Sequence, residues 1–233
     1  MTPPGRKEIQ RQRMWTYFLD AAAELIEEEG PDQVTIRKIA AKAGFTSSTA
    51  YNYFQDLSHL KFFTAMRFTK RYAEELPVYL ERGSNIIDKW LYAWECFCKH
   101  SFEEPSIYAM LFMDHLGVMP QVLIDDYYEV FQDDLSGLPE PVKAIMTEHS
   151  FAKRSALYIQ AAADEGFMTE ADIELIAEMT LMIWKGMMNT VLSERRTWTK
   201  EEAARQALYL IEQAVMRTVA SERRSEITFR SSL

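Results

Sequence analysis

Glycine and proline are scarce, at eight each in 233 residues. β-Rich chains use both at their many turns, and dinucleotide folds need glycine in the phosphate loop, so the shortage favours long helices. Cysteine is nearly absent: Cys96 and Cys98 are the only two. Two residues apart on one helix, their side chains diverge and cannot close an unstrained disulfide. Free thiols suit a reducing compartment, so a cytoplasmic location is expected, with redox sensing as the alternative use of the pair. No apolar run reaches the roughly 18 residues of a membrane helix, and no membrane partner is expected. The N-terminus is polar and charged, unlike a cleavable signal. Walker loops, GxGxxG turns and GxSxG elbows are missing. His59, His100, His115 and His149 are scattered, with no pair four apart beside a carboxylate. The acidic pairs Asp125-Asp126 and Asp133-Asp134 read as a solvated face. Neither a metal nor a cofactor is expected.

What the chain has is apolar mass and an uneven charge. Hydrophobic residues make up 48% of it, with 13 Met, 13 Phe and 5 Trp, enough for a small domain packed on a larger one. The net charge of -9 is not spread evenly: residues 1–72 carry 11 Lys/Arg against 8 Asp/Glu, a net +3, and residues 73–233 carry 15 against 27, a net -12. A mildly basic head on an acidic body suits nucleic-acid contact through one end.

The periodicity is helical throughout. Met14, Phe18, Ala21, Ala22, Leu25 and Ile26 form one apolar face of a first helix, stopped by Gly30-Pro31. Val34 to Ala43 predicts a short second helix capped by Thr35 and ended by Gly44, with Lys38 where a Glu would complete a capping box. A third, capped by Thr46 or Ser47, runs to about Phe54, and a fourth runs from Asp56 or Ser58 past Tyr72 toward Pro77. Further helices are expected at Asn85–Phe102, Ser106–Leu116, Gln121–Leu135, Val142–Glu165, Asp172–Glu194 and Lys200–Glu222. Residues 1–7 read as a disordered arm and 223–233 as a frayed tail.

The informative stretch is Val34-Thr-Ile-Arg-Lys-Ile-Ala-Ala-Lys-Ala-Gly44, then Phe45-Thr-Ser-Ser-Thr-Ala-Tyr-Asn-Tyr-Phe54 and Gln55-Asp-Leu-Ser-His-Leu60. Two short helices joined by a tight Gly turn are the helix-turn-helix pattern. A reading helix needs short polar side chains at its N-terminal end, and Thr46, Ser47, Ser48 and Thr49 supply them. Tyr51, Asn52 and Tyr53 add phenol and amide groups for phosphates, while Ala50 and Phe54 form an inward face.

This ordered set resembles the N-terminal signature of the TetR family of helix-turn-helix transcriptional regulators, over about the first quarter to third of the chain. The resemblance implies an all-α protein: a three-helix DNA-binding domain over 1–70 and a helical ligand-binding and dimerisation domain over 71–233. It carries over Thr35, Arg37, Ser47, Ser48, Thr49, Tyr51 and Tyr53 as DNA contacts. Two positions depart from it: Leu57 stands where many members have a phosphate-binding Lys, and Tyr53 where a His is common. Phosphate contact is therefore expected to fall on Arg6, Lys7, Arg11, Lys42 and Lys61.

The body offers aromatic stripes, Trp90-Trp94-Phe97-Phe102 among them. They read as plain core or as the wall of an inducer pocket, and both can hold, because such a pocket is a gap in the core. Trp94, Phe112, Met113, Phe131, Tyr158 and Trp184 are the expected liners of a site for a small, largely apolar inducer, with Arg154 or Lys153 as the available cation. The helix at 172–194 is apolar nearly all round, which calls for two packing partners. With the small-residue stripe Ala204, Ala207, Leu208, Ile211, Ala214, Val215 and Thr218, and Gly186 allowing close approach, it points to a homodimer. The expected function is a repressor that binds a palindromic double-stranded operator and is released by its inducer. A TetR-like activator and an all-helical ligand-binding enzyme are the alternatives; the chain shows no nucleophile, base or metal set for the latter.

Overall fold

A computed structural model describes residues 5–113, 120–148 and 150–233. His115, Leu116 and His149 lie outside these. The described residues form helices and short 3-10 turns, with no strand. In chain order the helices are α1 (Arg6–Glu29), α2 (Ile36–Lys42), α3 (Ser47–Tyr51), α4 (Leu57–Phe68), α5 (Lys70–Glu81), α6 (Ile86–Glu103), α7 (Pro105–Phe112), α8 (Pro120–Val130), α9 (Glu140–Thr147), α10 (Phe151–Ile159), α11 (Ala161–Asp164), α12 (Glu170–Leu192) and α13 (Lys200–Thr218).

They fall into two compact units. The first comprises residues 1–70 together with 110–137, and the second 71–109 with 138–233. The first unit thus takes in α8 as well as α1 to α4. Aromatic packing accounts for it. Trp15 of α1 packs 4.5 Å from Phe63 of α4, and α8 and the residue after it cover both: Tyr127 lies 6.5 Å from Phe63, and Phe131 lies 6.2 Å from Trp15. Arg67 and Asp20 add an ion pair between α4 and α1.

In the second unit α6 is the central rod. α13 and α10 pack on it, and α12 packs on both of those. α12 and α13 each begin with a reciprocal cap: Thr169 accepts from the Asp172 N–H, Thr199 accepts from the Glu202 N–H, and each acid accepts from the N–H of its Thr.

Local chemistry breaks two helices that the periodicity runs together. The Thr69 hydroxyl donates to the Met66 carbonyl at 2.7 Å and competes with the helical ladder, so α4 ends there and α5 continues through Pro77 to Glu81. Between α9 and α10, the Ser150 N–H donates to Glu148 Oε1 at 2.8 Å, and the Ser150 hydroxyl caps the next helix. The C-terminal tail is not frayed. Thr228 and Phe229 donate backbone N–H bonds of 2.9 Å to Asp88, and Phe229 is buried 4.8 Å from Tyr92. The stripe on α13 is also reassigned: Ala204, Ala207, Leu208, Ile211 and Val215 are buried inside the second unit, against α6 and α12.

Candidate nucleic-acid interface and ligand cavity

The exposed face of α2 and α3 is built by caps and one left-handed glycine turn. Thr35 caps α2 by accepting from the Lys38 N–H at 3.3 Å. α2 ends in a Schellman turn, with the Phe45 N–H bonded to Ala40 O at 2.8 Å and the Gly44 N–H to Ala41 O at 3.2 Å. Gly44 has φ of 81°, a left-handed conformation that a side chain resists. Thr46 then caps α3, accepting from the Thr49 N–H at 3.2 Å, and its hydroxyl lies 3.0 Å from that of Thr49.

Burial fixes which way α3 faces. Ala50 and Phe54 are buried, and the Phe54 ring packs 5.2 Å from Trp15 and 5.7 Å from Phe18. With that face pinned, Ser48, Tyr51 and Asn52 are exposed, Tyr51 by 57%. Thr35, Arg37 and Thr46 are exposed beside them, while Ser47, Thr49 and Tyr53 are half-buried. Tyr53 is also part of the core packing, with its ring 6.3 Å from Phe18. The cations of this unit differ in their surroundings. Lys42 is held by Glu28 at 2.9 Å and Glu24 at 3.1 Å on α1, its pKa raised first by the Glu28 hydrogen bond. Arg11 pairs with Glu129 at 3.3 Å. Arg6, Lys7 and Arg37 are exposed.

The second unit contains a cavity lined by Tyr72, Trp90, Ala93, Trp94, Phe97, Arg154, Ser155 and Tyr158. The centre of a water molecule can reach about 20 Å³ of it, within about 330 Å³ of empty space that includes its opening. That is room for about one water, so a ligand would have to displace side chains. Arg154 is only 7% exposed. It donates from Nε to Glu148 O at 2.9 Å and from Nη2 to Met146 O at 3.4 Å, both near the C-terminal end of α9.

Of the six liners expected from sequence, Trp94 and Tyr158 line this cavity. Trp184 is buried behind it, 5.2 Å from Phe97, with its indole N–H on Ser101 at 2.9 Å. Phe112, Met113 and Phe131 fall in the first unit, where Phe131 packs on Tyr127 at 5.0 Å. Periodicity reports an inward face but not which core it enters. Tyr72 and Ser155 carried no signal of their own. Arg154 was visible only as a cation in a sparse stretch.

Cys96 and Cys98 are fully buried. Burial, then neighbouring acids, pushes both thiols far up, so neither supplies the thiolate that redox sensing needs. Among the described residues no cluster of His, Cys, Asp and Glu could hold a metal, and no helix is long and apolar enough to cross a membrane.

Residues 18–59 match the family model of bacterial regulatory proteins, tetR family. No curated protein matches the chain. Several solved structures share its fold at low identity. FadR of Thermus thermophilus, a TetR family repressor in complex with lauroyl-CoA, has 14% identity and a TM-score of 0.58, covering 86% of this chain and 94% of its own. RolR in complex with resorcinol has 18% identity and a TM-score of 0.56 over 96% and 98%. FadR of Bacillus subtilis with stearoyl-CoA has 15% identity and a TM-score of 0.53 over 84% and 97%. Residues 18–59, which hold the capped α2–Gly44–α3 turn and its outward polar face, are a tetR-family helix-turn-helix segment, and the chain shares the fold of these solved structures over most of its length.

Proposed function

We propose that the protein is a homodimeric repressor that grips a near-palindromic operator through α3 and is released by a small, largely apolar inducer bound in the second unit. The observation that carries this reading is the separation of two built features: an exposed polar face on α3, and a cavity walled by Trp90, Trp94 and Phe97 in the other unit. RolR and the two FadR proteins are similar in fold and were solved with small ligands, which supports a ligand site.

The dimer reading rests on α12. Leu175 is 57% exposed and Met182 54%, and Met179 lies between them on the same face. Gly186 continues that row with open space where a Cβ would be. Tyr209 and Leu210 on α13 are exposed as well. A row of large apolar side chains facing water is costly in a monomer, and a second copy would cover it.

Induction would work by population shift, with the ligand preferring a conformation unsuited to the operator. Hundredfold release needs about 2.7 kcal/mol of differential affinity. α5, whose Tyr72 lines the cavity, follows α4 after Thr69 alone, and this connection is the proposed lever. Sedimentation combined with selection of bound DNA from a random pool tests the reading. A dimer that enriches a two-fold symmetric site is expected; a monomer at micromolar concentration, or no enriched sequence, would overturn it. A reporter carrying the selected site then gives the sign of regulation.

A further inference from the structure

The α2–α3 turn offers DNA polar groups but little charge. Residues 43–55 contain no charged side chain. Of the three cations on α2, Lys38 is held by Glu29 at 2.6 Å and Lys42 by Glu28 at 2.9 Å, which leaves Arg37 as the one without an acid among the described residues. Duplex DNA is a polyanion, and a large share of a protein's affinity for it comes from neutralising phosphates. A reader with one free cation per copy needs others close by.

The first turns of α1 supply them. Arg6 and Arg13 are exposed and pair with no acid among the described residues, whereas Arg11 and Arg67 are paired with Glu129 and Asp20. Spacings of seven and four put Arg6, Arg13 and Tyr17 on one face of α1, opposite the buried Trp15, Leu19 and Ala22. Tyr17 is 53% exposed, and its ring lies 6.1 Å from Phe45, the residue between Gly44 and the Thr46 cap of α3. The face therefore starts beside the N-terminal end of α3. From Tyr17 to Arg6 it runs for about 16 Å at a rise of about 1.5 Å per residue, long enough to pass several phosphates of one strand. Along it, Ile9, Gln12, Arg13, Thr16 and Tyr17 line an open groove of about 480 Å³ with no Asp or Glu in its wall. Glu8, the one acid between Arg6 and Leu19, turns back to accept from the Gly5 N–H. A guanidinium, a phenol and an amide with no carboxylate among them are donors suited to phosphate oxygens, not to a cation.

We propose that this face of α1 is a second DNA contact: Tyr17 and Arg13, then Arg6, follow the phosphate backbone beside the groove that α3 enters. α3 then selects the sequence, and α1 supplies charge that the α2–α3 turn lacks. This rests on the DNA-binding reading above. It adds residues that precede the 18–59 stretch matched by the family model.

The test is titration of the full-length protein, over a range of salt concentrations, with the DNA site selected from a random pool. Each phosphate contact adds about 0.9 to the slope of log affinity against log salt, so on a two-fold symmetric site Arg13→Gln should reduce that slope by about two. Selected and unrelated DNA should weaken by the same factor, with base preference unchanged. Arg13→Lys keeps the charge and should restore most of the slope. Tyr17→Phe removes only the phenol donor and should weaken binding several-fold at an unchanged slope. Ethylation of single phosphates locates the contact: an ethyl group just outside the bases protected by α3 should block the native protein, and Arg13→Gln should lose sensitivity to it. Both side chains are exposed, so the urea midpoints of these variants should match the native protein's. An unchanged slope in Arg13→Gln would overturn the proposal and make the face a solvated one, and a changed base preference would overturn it by making Arg13 a base reader. The two readings fail separately. A selected site bound by Arg13→Gln at the native slope sinks the α1 contact alone; a protein that binds no DNA sinks the repressor reading and this contact with it.

Discussion

Asp88 should act as a latch for the last residues of the chain, and its removal should be felt through Phe229. The Asp88 side chain is fully buried on α6. It accepts from the N–H groups of Thr228 and Phe229 at 2.9 Å each, from the Thr228 hydroxyl at 2.6 Å and from Asn85 Nδ2 at 3.1 Å. Asp88→Ala leaves two backbone donors without their acceptor, at about 1–3 kcal/mol each if they stay buried. The tail can avoid that cost by peeling into water, which gives up the burial of Phe229, worth about 2–3 kcal/mol. The cheaper route sets the outcome, so Asp88→Ala should cost about 3 kcal/mol. Phe229→Ala should cost a similar amount, because either change undocks the same segment. The double variant should then stay well below the sum of the singles, with a coupling of at least about 1.5 kcal/mol, where independent sites would add within about 0.5 kcal/mol. Urea titration of the four proteins measures the cycle, and amide exchange at Thr228 and Phe229 follows the tail directly. Additive costs, or protected amides at 228 and 229 in Asp88→Ala, would refute the latch.

Gly44→Ala places a Cβ on a left-handed residue and should lower stability by about 1–2 kcal/mol, with weaker operator binding because the α2–α3 turn is distorted; denaturation and DNA titration check both. Tyr51→Ala should weaken binding to every DNA sequence alike, as loss of a phosphate contact does, whereas Arg37→Ala or Ser48→Ala should cost about 1–3 kcal/mol and relax a single base position. Unchanged affinity in all three variants would mean that α3 is not the reader. Acid should destabilise the second unit. Burial works to raise the Glu75 carboxyl, but Lys99, His100 and Arg71 together bring it down to about 2. A folded pKa below the ordinary value means that the contribution is complete above that value and is lost as pH falls from about 5 to about 2. His100 is held below its ordinary value of 6.5 by burial, against the pull of Glu75, so its share is lost earlier, as pH drops through that value. Urea midpoints measured from pH 7 to pH 3 should decline throughout for the native protein, and Glu75→Gln should flatten the lower part of the curve.

The helix-turn-helix was legible because its information is local. Caps at Thr35 and Thr46, a left-handed Gly44 and an apolar pair at Ala50 and Phe54 act over a few residues, and each has its own residue signature. The same holds for the all-helical class and for the apolar character of α12. Other features depend on partners distant in sequence. Phe131 and Trp94 look alike as inward aromatics, yet one packs on Trp15 in the first unit and the other lines a cavity in the second. The stripe on α13 looks like an interface, but α6 and α12 cover most of it. The last residues look frayed because the groups that pin them are distant in sequence: Phe229 is held by Asp88 and Ser232 by Glu95, more than 130 positions away. Arg154 shows the division most sharply. In the sequence it is one of two adjacent cations, Lys153 and Arg154, with nothing to choose between them. Only the packing of α10 on α6 and α12 buries Arg154 and sets it with Tyr72 and Trp90 in the lining of one cavity. The sequence alone determined the local geometry of the DNA-reading head. Tertiary structure decided the chemistry of the cavity, because apolar periodicity encodes that a side chain is buried and not what it is buried against.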